Sequence, residues 1–558
     1  MLRPGRHLLI VLLGFAALIC PSRAAAQFEE DTAPWLVEYW GEADLDEPFV
    51  FAADSSRADS AFWNLQATLR WRQDEPVPAT ATQSPFRAGP RLFLRSPRGL
   101  KAGLALDKDP GEARWDDHAA ASLAAPLPEN WGTVILGDYR AAFSQGLILR
   151  SGRRYGLGQE TAGHLHSGEG LRPYAGWEEG QALRGAGVEL RRGDFQAWAW
   201  GSSRGRDARV DSAGRVTSFA TAGLHRTPAE ESQRDACRET GWGARAQYQP
   251  RGGSWTFGGS VCRLDWDREV LAADEPLRRA RNGSVDLAWK GGVHSVALEA
   301  AWDERGRSAQ AGTLRARLPR VEAAGAIYRF APDYFAPLAG FLDITAEEAC
   351  NREGVYSALG LREAWGRLSG FVHLYRHPVR RPGASWGGRD LCLSGEKTLP
   401  HGEISLASRW VRREEPDSAL AQDRWRGYAT LRLESAAGEM ESRLQLCRAP
   451  GLPGTGQMLR LGLARRFDLG AGLEIGVQAH TGIYRADDWA LRLYWNDLDP
   501  AGTLRSQPVW GRGSLWQVSV HGLRPGWGRL AMTLLWDRPE SLAGRSPSRT
   551  LGLVYRLS

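Results

Sequence analysis

Apolar and polar residues alternate over some fifteen or more stretches of this chain, each about ten residues long, and the last stretch runs to the C-terminus. Leu459, Leu461 and Leu463 stand against Arg460, Gly462 and Ala464. After a short turn, Leu473, Ile475, Val477 and Ala479 stand against Glu474, Gly476, Gln478 and His480. Successive side chains of a strand point to opposite faces, so each stretch is a ribbon with one apolar and one polar side. A tilted ribbon of about nine to eleven residues crosses a bilayer, and many of them joined by turns predict a transmembrane antiparallel β-barrel.

The first ribbon is Ala61, Trp63, Leu65, Ala67, Leu69 and Trp71 against Phe62, Asn64, Gln66, Thr68, Arg70 and Arg72. The last carries Leu551, Leu553, Tyr555 and Leu557 against Gly552, Val554, Arg556 and Ser558. With these two included, 26 segments fit, 216–224 and 488–496 among them, so an all-β wall of about 22–26 strands is expected over 60–558. Short connections such as 192–194, 365–367, 468–472 and 525–528 alternate with longer polar ones at 204–215, 268–282, 413–423 and 497–513. Short turns at one end and long loops at the other are the habit of such barrels.

Composition sharpens this reading. The 24 Trp are unusually many. Most fall near strand ends, among them Trp63, Trp71, Trp198, Trp200, Trp410, Trp425, Trp495, Trp516 and Trp536, where an indole suits a water–lipid boundary. A mean hydropathy of -0.40 is that of a soluble protein, but a wall whose every second residue faces water averages out the same way. The alternative with this composition is a secreted, soluble, Trp-rich β-protein that binds glycans. Residues 1–26 read as an export signal: Arg3, Arg6 and His7, an apolar stretch from Leu8 to Cys20, then Ala24-Ala25-Ala26. Residues 27–59 form an acidic leader with Glu29, Glu30, Asp31, Glu38, Glu42, Asp44, Asp46 and Glu47, with room for one short helix near 35–42. It lies in the periplasm or is tucked into the barrel mouth.

The net charge of +6 is too mild for a nucleic-acid partner. Cys237, Cys262, Cys350, Cys392 and Cys447 are odd in number and far apart, so no disulfide or metal framework is expected. No GxSxG, HExxH or phosphate-cradling loop is present, so no catalytic residues, no cofactor and no resident metal are assigned. His164 and His166, near Glu160 and Glu169, are the strongest metal-ligand pattern, and such pairs are common in polar loops by chance.

Two segments interrupt the alternation. One runs from Ala142 to Leu183, rich in Gly; the other from Ala331 to Gly354. Loops of such length without their own structure are usually functional, and the first, over 144–182, is expected to fold inward. An internal loop needs partners, and Arg offers a rigid fork to a carboxylate. Arg184 with Glu178, Glu179, Asp107 or Asp138 is the expected pin against the inner wall.

The same segments carry a resemblance. The run Gly137-Asp138-Tyr139-Arg140-Ala141-Ala142-Phe143-Ser144-Gln145-Gly146-Leu147 is similar to the GDYxxxFGQGL stretch of large outer-membrane proteins best known from Bacteroidetes, with Ser144 in place of a glycine. Arg172-Pro173-Tyr174, Glu179 and Arg184-Gly185 stand at the spacing of that family's RPYxSxxExxxxRGxA motif, with Gly176 and Gly187 as departures. Asn351, Glu353, Gly354 and Tyr356 resemble its later motif, and the likeness spans about 90–400 in order. It implies an outer-membrane barrel. Many relatives carry helix-hairpin-helix repeats before the barrel; residues 27–59 do not resemble them, so DNA contact is not implied. The family's function is not established.

The inward faces are polar, as in Arg426, Tyr428, Thr430 and Arg432, or Ser369, Phe371, His373 and Tyr375, and the Arg excess favours anions in an open lumen. The chain is read as an outer-membrane barrel: a porin-like channel or transporter, or an assembly component of the envelope. Its partners are outer-membrane lipids, the barrel-assembly machinery, and small solutes or envelope proteins. It is not read as an enzyme.

Overall fold

The computed structural model describes residues 63–75, 84–112, 114–151, 168, 170–180, 182–220, 223–272, 275–342, 344, 349–380, 386–414, 422–470, 472–498, 504–524, 528–540 and 547–557. The expected export signal over 1–26, the expected acidic leader over 27–59 and the pair His164 and His166 lie outside these residues.

Twenty-four antiparallel strands form one wall that closes on itself. The seam joins the first strand, Asn64–Glu75, to the last, Ser548–Leu557, in a register that runs from Ala67 opposite Leu557 to Glu75 opposite Arg549. Closure removes the sheet edges, so the backbone of the wall is satisfied within the sheet, as lipid requires.

The alternation of the sequence becomes an outside and an inside. Leu459, Leu461 and Leu463 are 39%, 48% and 50% exposed, whereas Met458 and Arg460 on the other face are 1% and 6% exposed. Leu551, Leu553 and Tyr555 point outward and Val554 inward in the same way. A soluble two-layer sandwich buries its apolar faces between two sheets; here a single closed sheet turns Leu, Ile, Val and Trp outward, and the sandwich alternative is set aside.

Two of the 26 expected strands are not part of the wall. Val216–Phe219 pairs with the short strand Ala208–Val210 and touches Val270 in parallel, extending the sheet beyond the barrel end. Leu493–Leu498 pairs with Leu504–Val509 in a separate two-stranded sheet. Residues 268–282, expected as a loop, are instead the tips of two long strands, Trp255–Ala272 and Glu275–Gly291. At 18 and 17 residues, these strands are longer than a bilayer needs, so the hairpin stands clear of it. The turns after Arg192 and Arg524 lie on the end that carries Asn64 and Leu557, and the long connections at 143–182, 207–236, 331–351 and 487–510 lie on the other.

Much of the lumen is filled. Phe143, Leu147, Ile148 and Leu149 pack with Tyr334, Leu338, Phe341 and Ile344 in one apolar core against the inner wall. Trp198 and Trp200 belong to this core, at 8% and 4% exposure, and not to a lipid boundary. A second core gathers Trp495, Leu493, Leu491 and Val509 onto Cys447, Met458, Tyr484, Leu515 and Leu535. The 493–509 hairpin is therefore folded into the barrel, where Trp495 is fully buried, stacks under Arg460 and donates its Nε1–H to Gln517.

Candidate functional site

The two segments that break the alternation meet inside the lumen. The first leaves the strand Gly132–Ala142, folds back so that Ala142 bridges Arg150, and presents its backbone to the second. The Arg150 N–H donates to the Leu338 carbonyl at 2.7 Å, the Gly340 N–H donates to the Gly146 carbonyl at 2.7 Å, and the Tyr334 hydroxyl donates to the Leu147 carbonyl at 2.9 Å. Gly146 has φ +86°, and a Cβ there would stand 2.4 Å from the Gly340 carbonyl oxygen, so this crossing needs glycine.

Each segment is also tied to the wall. Glu299, on the strand His294–Asp303, accepts the N–H groups of Gln145 at 2.9 Å and Leu147 at 3.3 Å, and the Gln145 side chain accepts from the Thr313 hydroxyl. The Asn282 amide donates to the Phe335 carbonyl, and Arg307 to the Asp333 carbonyl. Asn351 stands at the base of the second segment with φ +47°, a conformation Asn tolerates better than most residues. Its side chain bridges to the backbone of Val379 in the next long connection, at 2.6 and 2.8 Å. Glu353 accepts from Arg376 at 2.6 Å, along the wall.

The expected pin is placed differently. Arg184 does meet Asp138, with Nε 2.8 Å from Oδ1, but the two are direct partners on neighbouring wall strands. Asp138 also accepts the Ala121 N–H, so it fastens wall to wall. Gly137 beside it has φ +88°, and a Cβ there would lie 2.2 Å from the Ala121 carbonyl oxygen. Asp107 is held by Arg70 and Arg87 and makes no contact with Arg184 among the described residues. Arg70 and Arg91 in turn lie against the Trp177 ring at 3.9 and 4.2 Å, which docks the returning end of the first segment. Tyr174 accepts Arg140 on its ring, and its N–H donates to the Asp138 carbonyl. Arg172 and Pro173 lie on the short strand Gly170–Pro173, paired opposite Arg140 and Tyr139.

Glu179 belongs to a second feature, a polar cavity of about 190 Å³ at the long-loop end. Its centre is His225, carried on the 223–236 connection that a short capped helix, Pro228–Glu231, stiffens. Nδ1 of His225 lies 2.6 Å from Asp117, and Nε2 lies 2.8 Å from Asp207. Burial opposes charge on this ring, but two carboxylates outweigh it and push its pKa up to about 10, so both nitrogens carry protons. Asp117 is pulled below its ordinary value: burial would raise it, and its bonds to His225 and Arg234 more than reverse this.

Glu179 and Glu112 shift the other way. Burial, with Asp207 and Asp117 nearby, pushes Glu179 up to about 8. Burial raises Glu112 to about 7, although it accepts the N–H groups of Asp109 and His225. Ligand atoms of Glu112, Asp117 and His225 lie within 4.8 Å of one another, as do those of Glu179, Asp207 and His225, and either trio could ligate a cation only if the His225 ring gave up a proton, since an imidazolium has no free lone pair. Sequence reading passed over Asp117, Asp207 and His225. They sit in two connections with no motif spacing, Asp117 in one and Asp207 and His225 in the other, and only the closed wall brings these together.

No family model and no curated protein matches the chain. Among solved structures, the P pilus usher (PapC) translocation pore aligns with 89% of this chain and 99% of its own, at 11% identity and a TM-score of 0.38. The FrpB iron transporter from Neisseria meningitidis covers 91% of this chain and 83% of its own, at 9% identity and a TM-score of 0.40. OpdK from Pseudomonas aeruginosa, solved with vanillate, covers 57% of this chain and 93% of its own, at 10% identity and a TM-score of 0.28. Likenesses this loose carry no argument about function.

Proposed function

We propose that this chain is an outer-membrane channel or transporter barrel whose lumen is narrowed by its own inward segments. The observation that carries the reading is the contact between 143–151 and 331–344 inside a closed wall. Their parent strands Gly132–Ala142 and Val321–Phe330 are not neighbours: seven wall strands stand between them. The two segments therefore meet along a chord of the lumen. A wall needs no such chord for its own stability, since each strand is already paired on both sides. A chord matters where passage has to be restricted, and a polar lining behind it suits an aqueous path.

The resemblance to the Bacteroidetes-type outer-membrane proteins fits this reading, and the export signal over 1–26 supplies a route to the outer membrane. Solutes that pass the chord are its cargo; lipid covers its outer face. Planar-bilayer recording tests the reading. Wild-type protein is expected to conduct weakly, and a variant with 335–342 replaced by a short Gly/Ser linker is expected to conduct several-fold more. Equal conductance of the two, or none from either, overturns it.

A further inference from the structure

The lipid side of the wall carries a groove. Leu298, Gly312 and Ile327 stand directly opposite one another on three consecutive strands, so all three share the outward face. Leu298 and Ile327 are exposed there, and the glycine between them leaves a gap. A Cβ at Gly312 would stand 3.0 Å from Leu298 Cδ2 and 3.6 Å from Ile327 Cγ1, so these two side chains flank a floor of bare backbone. With Ala300, Val285 and Leu287 they line an apolar groove of about 560 Å³. Sites for organic ligands run from about 300 to 1,000 Å³.

At the long-loop end the groove turns polar. Gln310 lies directly between Ala300 and Arg329. Arg329 stands opposite Glu353, and Glu353 stands opposite Arg376 on the following strand. The carboxylate serves both: Arg329 Nε lies 3.5 Å from Oε2, and Arg376 Nε donates to Oε1 at 2.6 Å. The two arginine side chains nevertheless stay 69% and 75% exposed. Two guanidinium groups on one carboxylate leave the trio with a net positive charge. The acids nearby are engaged elsewhere. Asp286 and Glu299 face the lumen, on Arg245 and on the N–H groups of Gln145 and Leu147. Glu304, on the neighbouring rim, lies 3.8 Å from Arg279 and 4.0 Å from Arg281.

The trio stands at a boundary. On each of its three strands the next outward residue toward the short-turn end is apolar: Ile327, Val355 and Leu374. Two residues of strand separate Arg329 from Ile327, or about 7 Å. The groove therefore lies against hydrocarbon, and the trio lies one step above it, where long basic side chains reach the headgroups. Guanidinium groups take phosphate through paired N–H donors. An apolar groove that ends on a net positive charge fits a lipid, its chain in the groove and its phosphate on the arginines.

We propose that the wall seats a phosphate-bearing lipid of the long-loop leaflet, with an acyl chain over Gly312 and its phosphate on Arg329 and Arg376. Glu353 positions the two guanidinium groups side by side. The strands His294–Asp303 and Ser308–Arg317 that floor the groove carry Glu299 and Thr313 on their other face. The lipid thus rests against the section of wall that tethers the first inner segment.

Native mass spectrometry of the full chain in detergent, with added dioleoyl phosphatidylglycerol, tests this. Wild-type protein is expected to keep a single lipid at collision energies that strip the rest. Retention should fall several-fold in R329Q/R376Q, which removes the phosphate partners, and in G312L, which fills the groove. It should stay unchanged in R465Q, an outward arginine at the short-turn end, and heat-modifiability gels should show all variants folded. Dioleoylglycerol, which has the chains without the phosphate, should be lost with the other lipids. Excess inorganic phosphate should not displace the retained lipid. Full retention in either R329Q/R376Q or G312L overturns the proposal. So does equal retention of dioleoylglycerol, and so does displacement by inorganic phosphate, which would mean a site for the free ion. The readout does not depend on conduction, so it stands or falls separately from the channel reading.

Discussion

The carboxylate of Glu299 accepts the backbone N–H of Gln145 across 154 positions of sequence, and through this bond a wall strand holds an internal segment in place. The same oxygen takes the N–H of Leu147, and the carboxylate is only 4% exposed. Replacing Glu299 with Ala leaves two buried donors without their acceptor, at a cost of about 2–4 kcal/mol. The wall itself keeps its ladder bonds. E299A is therefore expected to remain a barrel on heat-modifiability gels while its single-channel record shows a higher open fraction than wild type. A record identical to wild type removes Glu299 from the role of tether.

The junction at Gly137 and Asp138 should respond in another way. Gly137→Ala forces a Cβ toward the Ala121 carbonyl at a φ of +88°, so wall strands must shift. Asp138→Ala loses the Arg184 fork and the acceptor for Ala121 but leaves the backbone path unchanged. Arg184 is half exposed and can turn to water, so the second change should cost about 1–3 kcal/mol in urea unfolding followed by Trp fluorescence. G137A is expected to cost more than D138A. The reverse order means that the strain at Gly137 does not govern this part of the wall.

The wall was legible in the sequence because burial on one face and lipid on the other leave a period of two at nearly every strand. The two misplaced strands follow from the same rule. Leu493, Tyr494 and Trp495 have strand character, but all three are buried, since the hairpin sits in the lumen with protein on both sides. Alternation reports a strand and not the sheet that owns it. Trp198, Trp200 and Trp495 were misread for a related reason: an indole beside a strand end suits an interface or a plug equally well. The interruptions at 142–183 and 331–354 were visible, but their mutual contact was not. His225 was invisible as a site because Asp117 comes from another loop and Asp207 stands 18 positions away in its own, at no motif spacing.

Trp495 offers a test of the hairpin. It fills the second core, bonds Gln517 through Nε1 and lies under Arg460. Trp495→Ala opens a cavity worth about 3–5 kcal/mol, more than a two-stranded hairpin can supply by itself. The 493–509 segment should come loose and become cleavable by added protease in detergent, with the wall intact. Protease resistance equal to wild type would falsify the claim that Trp495 is its anchor.

The cavity around His225 should weaken as the solution turns alkaline. Glu179 holds its proton up to about 8 in the folded chain, well above an ordinary glutamate. Between about pH 4.5 and 8 the folded state thus binds more protons than the unfolded one, and stability falls as pH rises through that window. His225 is raised to about 10, so its contribution is complete below about pH 6.5 and is lost as pH climbs through 10. The two effects have the same sign. Protection of the 223–236 connection from a broad-specificity protease, normalised to an unfolded substrate, should therefore decline between about pH 6 and 10. Glu179→Gln, neutral throughout, should make the decline below pH 8 shallower, while His225→Gln should remove the part above it. If protection rises with pH, or if E179Q leaves the lower part of the curve untouched, the crowding of Asp117, Asp207 and Glu179 around His225 does not control this loop.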